Sequence, residues 1–581
     1  MKKYIFVVGG VISGVGKGVT TASICKILQE KCFSVTAIKI DPYVNVDAGT
    51  MNPTEHGEVF VLDDGLECDQ DMGNYERYLE TNLTSANYMT TGSVYLSLIN
   101  QERSLKFAGK CVEVVPHVPL EVISRIKTAG KKAQADIVLI EVGGTVGEYQ
   151  NLLFLEAIRM LKLQKPQDVA LLLVSFLPQQ TSEAELKTKP TQYAVRSLNY
   201  AGLQPDIIIA RAEVPLDDKR KEKIAFNCSV TQEAVISAPN VKNIYDIPHT
   251  LESENLSTIL FKKLNLKNQP KTKKKWSQKL SQINKIKKNV EIGIVGKYFQ
   301  TGNFVLSDSY ISVIEAVKHA AYQHNHNANI TWLNAGDFEP EFHSPAQIKK
   351  NLANLKKYQG IIIPGGFGSR GTEGKINVIQ YLRENNLPFL GLCFGLQLAL
   401  IEYARHVSGL KNANSTEINP KTPHPVIDIL KSQRETVAKH NFGGTMRLGA
   451  YLATLEPNSK IFKLYQKSHR LQKDQIQINN LLSDSTQQFR IGQNQNPKNS
   501  IIERHRHRYE VSPNYLNKIF DQQLTISGYH IKKDLTKLVE FIELKNHPYF
   551  IATQSHPEFK SNLFDPAPTF LGLIEAAIKN I

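Results

Sequence analysis

The sequence predicts an α/β protein in two halves, each a mostly parallel sheet covered by helices. Three observations carry that reading. Continuous runs of Val, Ile and Leu alternate with helix-length segments, as expected of strands buried on both faces. The rhythm stops in a lysine-rich stretch and restarts near residue 290. The 581 residues are too many for one ordinary core. The expected division is a first domain over 1–264, a basic linker over 265–288 and a second domain over 289–581.

In the first half, strands are expected at Tyr4–Val8, Val35–Ile40, Ile137–Val142, Val169–Phe176, Asp206–Ala210 and Ala234–Ser237, with helices at Thr20–Lys31 and Leu152–Leu163. In the second, Val290–Val295, Asn329–Leu333, Gly360–Ile363 and Pro388–Gly391 read as strands, and Asp308–Gln323 as an amphipathic helix. Lys537–Leu544 and Tyr549–Gln554 read as neighbouring strands across a short turn. The polar stretch from Lys421 to Lys498 reads as surface insertions without a legible fold.

Hydrophobic residues make up 41% and charged residues 22%, values of a globular protein. Six cysteines without regular close spacing suit reduced thiols in the cytoplasm better than a disulfide framework. No run approaches the roughly 18 apolar residues of a membrane span. Lys2 and Lys3 precede an apolar run that breaks at once into glycines, so the start reads as a buried strand and not a leader. Much of the net charge of +15 lies between Lys262 and Lys288, which reads as a solvated linker instead of a nucleic-acid surface.

Three pieces of the second half fit one reaction. Pro388-Phe-Leu-Gly-Leu-Cys393-Phe-Gly395 is an apolar strand running into a cysteine and then a helix, Leu396–Arg405. A nucleophile at such an elbow is exposed, and the helix start favours its thiolate. In Thr553-Gln-Ser-His556-Pro-Glu558, residues two apart in an extended chain share a face, so Glu558 can orient His556 and His556 can take the proton of Cys393. Pro364-Gly-Gly366-Phe-Gly368 follows a strand and, with the amide of Phe394, could form an oxyanion hole. Each piece alone is weak. In this order they resemble the class I glutamine amidotransferases, which implies that Cys393 forms a glutamyl thioester and releases ammonia.

The first half opens with Gly9-Gly-Val-Ile-Ser13-Gly14-Val15-Gly16-Lys17-Gly18-Val19 between a strand and a helix. Glycines let backbone N–H groups cradle phosphates, and the lysine supplies charge. The Ser or Thr that usually follows the lysine is Gly18 here, so a Mg²⁺ ion would need carboxylates from elsewhere. Asp71 and Glu141 are the candidates. Lys187-Thr-Lys189-Pro-Thr191-Gln192 adds two cations and two hydroxyls near a helix start.

From end to end the chain resembles the CTP synthase family. The shared strings include Lys39–Asp47, His56–Gly65, Gly143–Gly147, Lys187–Gln192, Asn414–Glu417, Gly443–Gly449 and Arg504–Val511. The resemblance implies a P-loop-like, dethiobiotin-synthetase-like domain followed by a class I glutamine amidotransferase domain. It implies that ATP phosphorylates O4 of UTP and that ammonia then displaces phosphate. By position, Gly14–Val19 and Asp71 would bind ATP, and Asp71 and Glu141 would bind Mg²⁺. Ser13, Glu148, Tyr149, Gln150, Lys187, Thr188, Lys189, Pro190, Thr191, Gln192 and Lys223 would bind UTP or inhibitory CTP. Gly366, Phe394, Gly395, Leu396, Gln397, Glu417 and Arg508 would bind glutamine. The family also implies activation by GTP, a homotetramer and filaments, without nucleic acid or membrane as partner. A cofactor amidase would share the glycine loop and triad but not Lys187–Gln192 or Arg504–Val511. A catalytically dead filament or nucleic-acid-binding protein would not be expected to keep Cys393, His556, Glu558 and Lys17 together.

Overall fold

The computed structural model describes residues 2–179, 185–267, 273–297, 300–301, 304–305, 307–366, 368–429, 443–493 and 497–580. It divides into two compact units: Met1–Ala48 with Asp71–Asn284, and Gly49–Gln70 with Lys285–Ile581.

The first unit is built on a seven-stranded sheet: β1 (Lys3–Gly10), β2 (Val35–Asp41), β3 (Tyr88–Thr90), β4 (Ile137–Val142), β5 (Val169–Phe176), β6 (Ile207–Ala212) and β7 (Val235–Pro239). The strand order is β3-β2-β4-β1-β5-β6-β7, and every pairing is parallel. Helices α1 (Lys17–Glu30), α2 (Asp71–Leu79), α3 (Leu152–Gln164) and α4 (Lys189–Tyr200) are among those covering it. Phe6, Val8, Ile38, Ile40, Val138 and Ile140 share one core with Leu155 and Ile158 of α3. Open sheets of this kind place ligands beyond the carboxyl ends of the strands, where β1, β2 and β4 end in Gly10, Asp41 and Val142.

The lysine-rich stretch is not wholly a solvated linker. Residues Lys275–Ile283 form a helix, α5, which belongs to the first unit. Its Trp276, Leu280 and Ile283 recur at helical spacing and are buried, while Lys275, Ser277, Gln278, Ser281 and Gln282 face water. Trp276 donates from Nε1 to the Tyr245 carbonyl at 3.0 Å and packs on Tyr78, with Lys26 Nζ 4.9 Å from its ring centroid. Three apolar positions among so many lysines are a faint signal, which is why the helix is hidden in the composition.

The second unit has a nine-stranded mixed sheet. Its strands are β8 (Asn289–Gly296), β9 (Asn327–Asn334), β10 (Gly360–Ile363), β11 (Phe389–Leu392), β12 (Arg447–Leu455), β13 (Ser500–His507), β14 (Leu524–Ile531), β15 (Lys537–Leu544) and β16 (Phe550–Thr553). The order is β9-β8-β10-β11-β16-β15-β14-β12-β13. It is parallel from β9 to β16 and antiparallel beyond. Ile361, Ile363 and Phe389 enter one core, while Ile362, Leu390 and Leu392 enter another. These two cores are why the central strands read as unbroken apolar runs. Helix α6 (Ile311–Gln323), α7 (Phe394–His406) and α10 (Pro568–Lys579) pack on these strands.

The polar stretch that gave no legible fold contains β12 and two helices, α8 (Lys460–Lys467) and α9 (Arg470–Ser483). Tyr465 donates to Glu503 at 2.7 Å, and Arg470 pairs with Asp565 at 2.9 Å. A buried ionic network replaces much of the apolar pattern that sequence reading relies on. Residues 430–442 of this stretch lie outside the described residues.

Residues 49–70 belong to the second unit although they lie early in the chain. Their core is a hairpin of Val59–Val61 with Glu67–Asp69. Among the described residues no helix is long and apolar enough to cross a membrane. Trp276→Ala should lower unfolding stability by about 3 kcal/mol, the scale for deleting a buried aromatic, measured by denaturant titration.

Candidate functional site

The glycine loop of the first unit leads into α1, whose N-cap Gly16 sits at φ 91°, in the region where glycine is favoured. Ser13 and Gly14 are exposed, Val15 and Lys17 are buried, and Val19 lies in the first turn of α1. Lys17 Nζ donates to the Gly144 carbonyl at 2.9 Å, so in this geometry the lysine is folded against the loop after β4. Burial lowers its pKa.

Gly18 has a steric explanation. A Cβ built there would lie 1.8 Å from Asp71 Oδ1. The Asp71 carboxylate thus occupies the space a Ser or Thr side chain would need, and brings an oxygen to the same end of the loop. Lys39 Nζ bridges Asp71 Oδ2 at 2.5 Å and Glu141 Oε1 at 3.0 Å, with Asp41 Oδ1 at 3.7 Å. Tyr75 donates to the other oxygen of Glu141, and Asn74 donates to Asp71 at 3.2 Å. Burial and then the Asp71 charge push the Glu141 carboxyl up. Burial acts on Asp71 in the same direction, but Lys39 outweighs it and holds that carboxyl below its ordinary range. Among the described residues no group of three or more His, Cys, Asp or Glu side chains could hold a metal by itself. Two hard carboxylates complete a Mg²⁺ site only with nucleotide phosphates, and the pair here fits that requirement.

The remaining first-unit candidates divide by exposure. Glu148 accepts from Thr145 N at 2.7 Å and from its hydroxyl at 2.9 Å, and Gln150 donates to its second oxygen. Tyr149 is 93% exposed. Thr188, Thr191 and Gln192 are buried, with Thr191 bonded to Ser175 at 2.8 Å and Gln192 to Thr188 at 3.2 Å. Lys187 pairs with Glu185 at 2.7 Å, Lys189 is exposed, and Pro190 opens α4. Lys223 acts on Glu185 electrostatically. The sequence reading missed Arg211, whose Nε would lie 3.6 Å from a Cβ at Gly16. An Arg ending a strand gives no local signal.

In the second unit, β11 runs into Cys393 and then α7. Cys393 sits at φ 51°, ψ −100°, and its N–H donates to the Thr553 carbonyl at 2.7 Å. Two glycines make the elbow possible. A Cβ at Gly395 would meet the Ile363 carbonyl at 2.3 Å, and one at Gly391 would meet Ala552 Cβ at 2.9 Å. Phe394 begins α7, so its N–H is among those a helix leaves without an intrahelical partner. Gly365 and Gly366 line a cavity of about 60 Å³ together with Cys393, His556 and Glu558. Phe367 lies outside the described residues.

His556 Nδ1 and Glu558 Oε1 are 2.7 Å apart. The two meet through a turn and not along a strand, because β16 ends at Thr553 and Pro557–Lys560 is a 3₁₀ helix capped by His556. Burial alone would lower the imidazole pKa, but the charges of Glu558 and Cys393 outweigh it and push it up to about 10. Nε2 makes no conventional hydrogen bond, and Cys393 is near enough for its charge to act there. Catalytic contacts are commonly loose before substrate binds.

Of the expected glutamine contacts, Glu417 accepts from Gly368 N at 2.8 Å, and burial pushes its carboxyl up. Arg508 donates to Thr445 at 3.0 Å. Gln397 is turned inward onto the Tyr509 carbonyl at 2.9 Å and Gln554 at 3.2 Å, and Leu396 faces the core. Two lysines escaped the sequence reading. Lys297 Nζ donates to the Gly368 carbonyl at 2.9 Å and lies 5.4 Å from the Phe394 ring centroid. Lys375, fully buried, stands 5.6 Å from the same centroid, its pKa lowered to about 7 by burial and by Lys297.

A family model described as CTP synthase N-terminus matches residues 3–266, and one described as glutamine amidotransferase class-I matches residues 305–576. A CTP synthase of Methanococcus maripaludis is 46% identical over 578 residues, covering 99% of this chain and 100% of the relative. The chain belongs to the CTP synthase family. A second CTP synthase, from Thermococcus gammatolerans, is 44% identical over 99% of both chains. A solved glutaminase domain of Trypanosoma brucei CTPS with bound acivicin is 32% identical, covering 50% of this chain and 94% of that chain, with a TM-score of 0.40. Like other members of the CTP synthase family, the protein is a glutamine-hydrolysing ligase that forms a C–N bond.

The raised His556 pKa has a stability consequence of definite sign. Its contribution is complete below the ordinary histidine value near 6.5 and is lost as pH rises toward about 10. Glu558→Gln removes the largest charge that raises it, so the His556 titration followed by NMR should move to lower pH.

Proposed function

We propose that the protein converts UTP to CTP with ammonia that its own glutaminase site releases. The observation that carries the glutaminase part is the 2.7 Å His556–Glu558 contact beside Cys393 at a strained strand-to-helix elbow. His556 accepts the thiol proton, and the Cys393 sulfur attacks the carboxamide carbon of glutamine. The N–H groups of Gly366 and Phe394 face the developing oxyanion, and His556 returns the proton to the leaving ammonia. Water then hydrolyses the glutamyl thioester. Glu417, Arg508, Gly395, Leu396 and Gln397 complete the glutamine pocket in this reading. The cavity of about 60 Å³ beside Cys393 has room for one ammonia or water.

In the first unit, Gly14–Val19 cradle the ATP phosphates at the start of α1. The γ-phosphoryl group passes to O4 of UTP; ammonia then attacks C4 and inorganic phosphate leaves. Lys17 and Lys39 supply positive charge to the transferring group. Asp71 and Glu141 would hold Mg²⁺, which neutralises phosphate charge when bound. Ser13, Glu148–Gln150, Lys187–Gln192 and Lys223 hold UTP or, as feedback inhibitor, CTP. Activation by GTP and assembly into homotetramers complete the proposal.

Cys393→Ala should abolish CTP formation from glutamine while free ammonia still supports it, followed by the absorbance change of UTP conversion. Loss of both reactions in a folded variant overturns this division of labour. Lys17→Ala should lose synthesis from both nitrogen sources while glutamine is still hydrolysed.

A further inference from the structure

Residues 49–70 reach the catalytic histidine through Phe559, and nothing in the triad chemistry accounts for that. Phe60, fully buried in the hairpin, packs on Phe559 with ring centroids 4.9 Å apart. Phe559 in turn stacks on the His556 imidazole, at 5.0 Å and an interplanar angle of 12°. Gly365 also crowds that ring, where a Cβ would lie 3.0 Å from Cε1. The Glu558 hydrogen bond holds one nitrogen, and the stack holds the plane. Together they fix the direction in which Nε2 points.

A second connection runs through β13. The Arg504 carbonyl accepts from His556 N at 2.7 Å, and the Arg506 carbonyl lies 3.8 Å from Cys393 Sγ. The side chains of these two residues reach the hairpin: Arg504 Nε to Asp63 at 2.5 Å and Arg506 Nε to Glu67 at 2.8 Å. Arg504 also lies over the Phe60 ring at 5.3 Å. One strand therefore touches both reacting residues with its backbone and the hairpin with its side chains. The hairpin is anchored further by Glu58, which accepts from Ser312 N at 3.2 Å and from the Ser312 hydroxyl.

We propose that Phe60, Asp63 and Glu67 are positioning residues of the glutaminase reaction, holding His556 and Cys393 in register through Phe559 and β13. The proposal rests on the Cys393–His556–Glu558 reading. It makes a segment of the N-terminal sequence part of the glutaminase machinery without contact to glutamine. A misplaced reacting group can cost as much as about 10²-fold in rate while leaving substrate contacts intact.

The test uses the full chain and measures glutamate release from glutamine, with ammonia-supported CTP formation as the report of a folded protein. Phe60→Leu keeps an apolar side chain but removes the ring, and Glu67→Gln keeps the shape but removes the charge opposite Arg506. Each should lower kcat for hydrolysis by about 10-fold or more with KM for glutamine within about twofold, a split that general loosening of the pocket would not give. Should Phe60→Leu lose the ammonia reaction as well, Glu67→Gln carries the test alone. Cys393→Ala run in parallel separates the two ideas. If it abolishes hydrolysis while both hairpin variants keep kcat within twofold, the positioning role is overturned and the triad stands. If Cys393→Ala still hydrolyses glutamine, the triad reading falls and this proposal with it.

Discussion

Cys393 is held at φ 51°, ψ −100°, a conformation that costs an ordinary residue roughly 1–3 kcal/mol. It persists because its surroundings over-determine it. Its N–H is committed to Thr553, its carbonyl accepts from the N–H groups of Leu396 and Gln397, and α7 lies against Ile363 at a distance only glycine permits. The strand order β10-β11-β16 brings the same groups together: the loop with Gly365 and Gly366, Cys393, and the segment leading to His556 leave neighbouring strands at the same end. The antiparallel strands added beyond β16 supply β13, whose backbone closes the site from the far side.

Charge balance plays the comparable part in the first unit. Lys39 stands among three carboxylates, and Lys17 is folded onto a backbone carbonyl. Both cations and the excess negative charge are thus buried in advance of any nucleotide. A polyphosphate with its cation would exchange partners with groups already desolvated, so less reorganisation is needed as negative charge moves from one oxygen to another. At Gly18 the space of a Ser or Thr side chain is taken by Asp71, so the oxygen at this end of the loop comes from the start of α2 and not from the loop itself.

What the sequence made legible follows the physics of each feature. Ile137–Val142, Val169–Phe176 and Gly360–Ile363 have the expected bounds, because strands buried between two layers are apolar along most of their length, and Lys537–Leu544 has them too although it carries Glu540 and Glu543. The segments around Cys393 and His556 were legible because tight strand-to-helix turns leave glycines at fixed places beside them. Alternation predicts an extended link from His556 to Glu558, but the strand ends at Thr553 and Pro557–Lys560 is a 3₁₀ helix, so the two side chains meet through a turn. Helix α5 and the helices after β12 were hidden by lysine and by buried ion pairs, which dilute a short periodic apolar signal. Lys297, Lys375 and Phe60 were invisible for another reason: their importance lies in what they touch across long sequence separations.

The placement of residues 49–70 bears on how such a chain can be taken apart. The basic stretch between the two matched families looks like a natural seam, yet the glutaminase unit is discontinuous and begins again before residue 71. A recombination event or an engineered chimera that exchanged only the segment after the seam would pair one lineage's hairpin with another lineage's β13. Asp63 and Glu67 would then have to coevolve with Arg504 and Arg506 across more than four hundred residues of sequence. The second unit is encoded in two pieces, and a swap that carries both keeps these ion pairs together.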